Sequence, residues 1–213
     1  MTNWPQPTKI IGIGSNYRKH ALEMGKPVPT VPKLFLVAPS ARIADGEAIC
    51  IPPGTQRVDH EAELAVVIGR RCCQVSRASA LDYVLGYTVA NDVTARDFQK
   101  ADKVFGRAKG FDTFMPIGSE LVQLDPRDLA VRAWVNGELR QDGRTSDMVF
   151  DVPELIHFLS HVMTLMPGDI ISTGTPSGVG PLVAGDTVTV EVEGIAPLTN
   201  PVVARAPSPD TLG

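Results

Sequence analysis

Residues 59–69 read DHEAELAVVIG, and the fold turns on how this stretch is read. Leu64 to Ile68 is a run of apolar, largely β-branched residues closed by Gly69, the composition of a buried strand. Glu61 and Glu63 enter the same extended segment with only Ala62 between them. Successive side chains on a strand face opposite sides, so both carboxylates stand on one face, their Cα atoms about 7 Å apart. At an effective dielectric near 20 two such charges repel by about 3 kcal/mol. A solvated edge would relieve that cost, but this pair leads into a strongly apolar strand. Asp92 ends another apolar run, GYTVAND at 86–92, and no run of Lys or Arg stands nearby in sequence. Three carboxylates converging from strand ends suit a hard divalent cation, Mg²⁺ or Mn²⁺. His60 points to the opposite face and reads as structural.

Working outward, strand signals dominate and helices are few. KIIGIG (9–14) and LFLVA (34–38) are apolar strands, and AELAVVIG (62–69) and LGYTVAND (85–92) follow. Between the last two, SRASALDYV predicts a short helix capped by Ser76. TARDFQKAD (94–102) predicts another, with Thr94 as its N-cap and Asp97 three residues on. LAVRAWVNGELRQDG (129–143) alternates with period two and breaks at Asn136-Gly137, a strong hairpin signal. PELIHFLSHVMTLM (153–166) gives one amphipathic helix with Pro153 in its first turn. GDIISTG and DTVTVEVEG supply the last strands, and the Pro- and Ala-rich tail at 197–213 reads as loosely held. The expectation is one domain over 1–213 with a core at about 9–193, a mixed β fold with few helices. Strands do not alternate with long helices, so a doubly wound α/β sheet is disfavoured.

Composition narrows the function classes. The chain has 213 residues, 43% of them hydrophobic and 21% charged, enough for one sizeable core. A net charge of -4 offers no basic footprint for nucleic acid. No apolar run reaches the ~20 residues of a membrane span, and the N-terminus lacks the pattern of a signal peptide. Cys50, Cys72 and Cys73, an odd count with an adjacent pair, read as reduced thiols of a cytoplasmic protein. No GxGxxG or GxxxxGK[ST] phosphate loop is present.

The order of GSNYRKHALEMG (14–25), LFL (34–36), DHEAELAVVIG (59–69), NDVTARDFQ (91–99), RAKGFDTF (107–114), VNGELRQDG (135–143) and LMPGDIISTGTPSGVGP (165–181) resembles the fumarylacetoacetate hydrolase family in its compact single-domain form. The resemblance runs from about Ile11 to Val192. It implies the mixed β-roll of that family, a catalytic Mg²⁺ or Mn²⁺, a homodimer, and chemistry on small 2-oxo acids. The family's metal ligands fall on Glu61, Glu63 and Asp92, so a cation cancels the repulsion within the opening stretch.

Other candidates follow from spacing and resemblance together. His20 and Glu23 lie three apart and share a helix face. A carboxylate on an imidazole raises its basicity, making the pair a general base, and the resemblance implies a catalytic His–Glu pair in this segment, often a lid. Lys109 matches the family's cationic residue at the metal, suited to hold a substrate carboxylate or stabilise an enolate. Gln99 matches a substrate-orienting position, and Arg96 is either a second substrate contact or an ion-pair partner. The hydroxyl and backbone N–H groups around Thr175, in a Gly-rich loop, suit a carboxylate. His157 and His161 read as packing residues of a helix, and Cys72-Cys73 has no assigned role.

One departure bears on substrate. Only FQKADKVFGRA separates Asp97 from Lys109, where acylpyruvate-hydrolysing and oxaloacetate-decarboxylating members carry a longer loop with a Gly-x-Pro-Trp element. The shorter form resembles a branch linked to isomerase or decarboxylase steps on 2-oxo diacids of aromatic catabolism. The leading expectation is metal-dependent hydrolysis of a C–C bond in an acylpyruvate such as fumarylpyruvate. The alternatives are isomerisation or decarboxylation of a 2-oxo acid, and non-catalytic metabolite binding.

Overall fold

A computed structural model describes residues 4–23, 25 and 27–206. Two five-stranded sheets carry the architecture. The first runs in the order Lys33–Val37, Ile10–Gly14, Ile170–Ser172, Ala62–Ile68, Val84–Asn91. Only its Ile10–Gly14 and Ile170–Ser172 pair is parallel. The second runs Glu138–Arg144, Ala130–Val135, Thr187–Val192, Leu198–Ala204, Ile49–Ile51. A three-stranded ribbon of Gly180–Leu182, Val58–His60 and Thr94–Ala95 stands beside them. The α-helices are α1 (Arg18–Glu23), α2 (Arg96–Asp102), α3 (Gly106–Lys109) and α4 (Val152–Val162).

The opening stretch holds the centre of this arrangement. Every residue of Ala62–Ile68 is buried. Leu64 and Val66 pack with Val131, Ala133 and Val190 of the second sheet. Ala65 and Val67 pack with Ile10, Ile170, Phe35, Met115 and Ile117 on the other side. A strand covered on both faces has no reason to alternate, and the run is apolar throughout for that reason. Each large apolar side chain so buried contributes about 1.5–3 kcal/mol.

Local signals translate with some shifts. Asn136 and Gly137 turn the hairpin with φ of 53° and 80°, the two positive values of a type I′ turn. Ser76 caps a 3₁₀ turn over Arg77–Tyr83, its hydroxyl accepting from Ser79 N–H at 3.3 Å. Asp151 caps α4, and Pro153 lies in its first turn as expected. The helix stops at Val162, before the expected Met166, because Met163 turns to extended geometry. Thr94 is not the cap of α2. It lies in a short strand, and its hydroxyl serves the buried site instead.

The tail needs a larger correction. Leu198–Ala204 is a strand, antiparallel to Thr187–Val192 and parallel to Ile49–Ile51. Leu198, Asn200 and Val202 alternate inward, and Asn200 Nδ2 donates to the carbonyls of Ala44 and Glu47. Pro201 argues against a strand in sequence, but the pairing with Ile49–Ile51 begins only at Val202, so its missing N–H costs no bond on that side. The core therefore extends to Val202 and the strand to Ala204, and residues 207–213 of the expected tail lie outside the described residues. No helix among the described residues is long and apolar enough to cross a membrane.

Candidate metal centre

Glu61 occupies a one-residue break between Val58–His60 and Ala62–Ile68. Its N–H donates to Asn91 Oδ1 and its carbonyl accepts from Asp92 N–H, each at 2.9 Å. Register does the rest. Ala62 faces Asn91 and Glu63 faces Ala90, so Asp92, one residue past its strand, comes level with the two glutamates. One oxygen from each of Glu61, Glu63 and Asp92 lies within 4.8 Å of the others, and all three residues are buried.

Glu63 Oε2 accepts from Ser172 Oγ at 2.6 Å and Gly174 N–H at 2.8 Å. Lys109, at the end of α3 and 3% exposed, donates to Glu61 Oε2 at 2.9 Å, to Thr94 Oγ1 at 2.8 Å, and to Asp92 Oδ2. Arg96 reaches Asp59 Oδ2 at 2.7 Å, Glu61 Oε1, and Gln99 Oε1 at 3.3 Å. The sequence offers no adjacent run of cations, yet the fold brings two onto Glu61. Part of the repulsion is thus met by side chains, and a divalent ion is not its sole relief.

The charges remain unbalanced. Asp59, Glu61, Glu63 and Asp92 face Arg96 and Lys109, with the half-exposed Arg57 also on Asp59. Burial opposes ionisation of Glu61, but Lys109 and Arg96 hold its carboxyl down to about 2. Burial pushes Asp92 up to about 6, with Lys109 restraining the rise. Burial, then Asp92 and Glu61, hold Glu63 well above the usual carboxylate range. Asp92 Oδ1 is buried with no hydrogen-bond partner among the described residues. A lone buried carboxylate oxygen, two neighbouring carboxylates and an all-oxygen donor set fit a hard divalent cation.

The expected residues share one cleft of about 30 Å³, room for roughly two water molecules, lined by His20, Glu61, Glu63, Asp92, Arg96, Gln99, Lys109 and Thr175 with Phe35 and Phe105 as an aromatic wall. The two rings stack with centroids 4.7 Å apart, and Lys109 Nζ lies 5.0 Å from the Phe35 centroid. Glu23 alone of the candidates does not line it. It sits at the rim, where its carboxylate meets His20 Nδ1 at 3.3 Å and accepts from Gly178 N–H at 3.2 Å. Asn16 anchors the chain entering α1 through Phe150 and Thr173. Gln99 Oε1 is taken by Arg96, which leaves its amide N–H groups for a ligand. The Thr175 hydroxyl donates to Ala62 O at 2.8 Å, so its proton is not free for the carboxylate contact expected of it. An outer groove of about 520 Å³ adjoins the cleft, sharing Arg96, Gln99 and Phe105 with it and adding Lys100, Lys103 and Val104.

The sequence reading missed Asn91, Thr94, Ser172 and Gly174, which orient the acidic triad and Lys109. Their only signal is adjacency to singled-out residues, in NDVT and ISTGT. His60 is buried in the ribbon with Nδ1 on Gln141. His157 donates to Val75 O and His161 to His157 O.

A model of the fumarylacetoacetate (FAA) hydrolase C-terminal domain matches residues 9–203. The chain belongs to the fumarylacetoacetate hydrolase family. Within the family it is 45% identical to the oxaloacetate tautomerase YisK of Bacillus subtilis, over 93% of this chain and 71% of that protein. It superposes on the 2-hydroxyhepta-2,4-diene-1,7-dioate isomerase of Mycobacterium marinum with a TM-score of 0.88 at 46% identity, covering 95% of this chain and 77% of that one. For the fumarylpyruvate hydrolase of Pseudomonas aeruginosa, solved with Mn²⁺ and pyruvate, the TM-score is 0.90 at 31% identity, with 95% and 91% covered. The family is one of enzymes that includes hydrolases, isomerases and tautomerases, and one relative holds Mn²⁺.

Proposed function

We propose that the protein is a divalent-metal-dependent enzyme that enolises a small 2-oxo acid, and that tautomerisation or isomerisation is its net reaction. One observation carries this reading: His20, buried and paired with Glu23, lines the same cleft as the acidic triad and Lys109. Glu61, Glu63 and Asp92 would hold Mg²⁺ or Mn²⁺, which when bound polarises the 2-oxo group. Lys109, fixed by Glu61, Asp92 and Thr94, presents positive charge where the enolate oxygen develops, and no reorganisation is needed during the reaction. His20 moves the proton at carbon, with Glu23 holding its ring on Nδ1 so that Nε2 works. Gln99 offers its N–H groups to the substrate carboxylate, and Arg96 orients Gln99.

The inner cleft is too small for a whole diacid, so the distal part of the substrate extends into the outer groove. Only residues 103–105 connect α2 to α3, so this connection supplies no long loop over that groove. This, with the tautomerase and isomerase relatives at 45–46% identity, favours proton transfer over the hydrolysis placed first from sequence. Hydrolysis of an acylpyruvate is the second reading, favoured by the Glu23 carboxylate, 40% exposed, through which water reaches His20. On the family likeness the active molecule is read as a homodimer. A non-catalytic binder would need the triad but not the His–Glu pair.

The test is a substrate panel with Mg²⁺ or Mn²⁺ and a chelated control, following loss of enol absorbance of oxaloacetate, acylpyruvate cleavage and CO₂ release. Metal-dependent enol loss faster than cleavage is expected. Absence of turnover in all three assays refutes the reading.

A further inference from the structure

The hairpin strand Glu138–Arg144 is exposed along most of its length, yet Gln141 on it is fully buried. Its side chain reaches three segments of the site. Oε1 accepts from Ala62 N–H at 3.0 Å and faces His60 Nδ1 at 3.0 Å. Nε2 donates to Pro176 O at 2.9 Å and to Thr175 Oγ1 at 2.7 Å. The backbone partners settle which way the amide points, since an N–H only donates and a carbonyl only accepts. His60 therefore carries its proton on Nδ1, and Thr175 Oγ1 accepts a hydrogen bond from Gln141. The single Thr175 hydroxyl proton goes to Ala62 O. Ala62, between the two glutamates, thus has its N–H held by Gln141 and its carbonyl by Thr175. Thr175 has only an acceptor lone pair left for the cleft.

The backbone is shaped for this approach. A Cβ on Gly143 would lie 2.4 Å from Pro176 Cβ, and one on Gly178 would lie 2.2 Å from Arg140 O at a φ of +95°. Hairpin and loop can touch only because both positions are glycine.

We propose that Gln141 is a positioning residue of the site. It locks the Thr175–Pro176 loop and Ala62 into one register, so the second sheet sets the spacing of Glu61 and Glu63. By holding the Thr175 hydroxyl it also fixes the wall that this loop gives the cleft. This rests on reading the triad as a divalent-metal site, and the experiment separates the two.

Mn²⁺ affinity, then oxalate affinity in saturating Mn²⁺, would be measured by calorimetry for wild type, Gln141→Leu and Gln141→Glu, with melting curves for each. Gln141→Leu loses every contact, and Mn²⁺ binding should weaken about tenfold, as for other supports behind metal ligands. Gln141→Glu keeps acceptors for Ala62 and His60 but, ionised or protonated, loses at least one donation to the loop. It should hold Mn²⁺ within about threefold of wild type while weakening oxalate about tenfold. Val131→Ala, on the neighbouring strand, controls for lost stability and should leave both affinities unchanged. If Gln141→Leu does not fold, the Gln141→Glu result decides alone. Folded variants with both affinities within twofold of wild type would overturn the proposal, leaving Gln141 a core brace. Wild type failing to bind Mn²⁺ overturns the metal reading and this proposal together.

Discussion

Glu63 carries its carboxyl at 1% exposure, and its donors among the described residues, Ser172 and Gly174, both fall on Oε2. A glutamine there keeps an acceptor for both donors and removes the charge that Glu61 and Asp92 repel. Glu63→Gln should therefore leave the metal-free protein as stable as wild type or more so, while abolishing Mn²⁺ binding and turnover. Calorimetry with a melting curve checks both, and retained Mn²⁺ affinity would remove Glu63 from the ligand set. His20 makes a different prediction, because its ring nitrogen pairs with Glu23 and not with a metal ligand. His20→Ala should lower kcat by about 10²–10⁴-fold, the usual contribution of a positioned acid–base group, with little change in KM. Steady-state kinetics on the best 2-oxo acid would decide, and a kcat within twofold of wild type would reduce the His–Glu pair to a helix face.

At the level of elements, the site depends on short pieces that cannot hold their shape alone. Helix α1 has six residues, too few to be stable in isolation. Asn16 fixes its entry, and Glu23 on Gly178 N–H fixes its far end. The hairpin that delivers Gln141 depends on its turn. Asn136 and Gly137 both have positive φ, and a Cβ at the glycine meets nothing within 4 Å, so only backbone conformation is at stake. Gly137→Ala should cost about 1–2 kcal/mol, read as a lower urea midpoint with unchanged slope. An unchanged midpoint would mean that the turn carries no strain.

For the whole molecule, the buried charges link stability, pH and metal. Asp92 goes from an ordinary 3.8 to about 6 in the fold, with burial the main cause. Between those values the folded state keeps a proton that the unfolded chain has lost, so stability falls as pH rises. Two units correspond to a loss on the order of 3 kcal/mol, and Glu63 adds to it in the same direction. Glu61, held down to about 2, works oppositely. Its stabilisation is present above 4.5 and lost as pH falls toward 2. A divalent cation removes the penalty on Asp92 and Glu63, and it competes with their protons. The rise in Tm with Mn²⁺ should thus be larger at about pH 7.5 than at about pH 5, by scanning fluorimetry. Equal shifts would contradict a carboxylate site. Sedimentation should give twice the 22.8 kDa chain mass for the homodimer, and a monomer at micromolar concentration would refute that reading.

Much of this was legible in the chain because it rests on local chemistry. A β-branched run, Asn-Gly at a turn and Glu-Ala-Glu entering a strand each act within a few residues. The acidic triad, the hairpin and the mixed β architecture follow from them and from the family's motifs. The strand at Leu198–Ala204 was hidden by Pro201, whose effect depends on where the partner strand begins, a fact of register between distant segments. The family likeness placed Lys109 at the metal and left Arg96 open as an ion-pair partner, but that both fall on Glu61 was hidden, since they lie 48 and 35 positions away. So was the direction of the Thr175 proton, set by an amide on the opposite sheet. Sequence by itself determined which groups can ionise and, apart from the last strand, which segments extend. Tertiary structure decided which charges meet and where each proton points, because those depend on distances that only the packed sheets define.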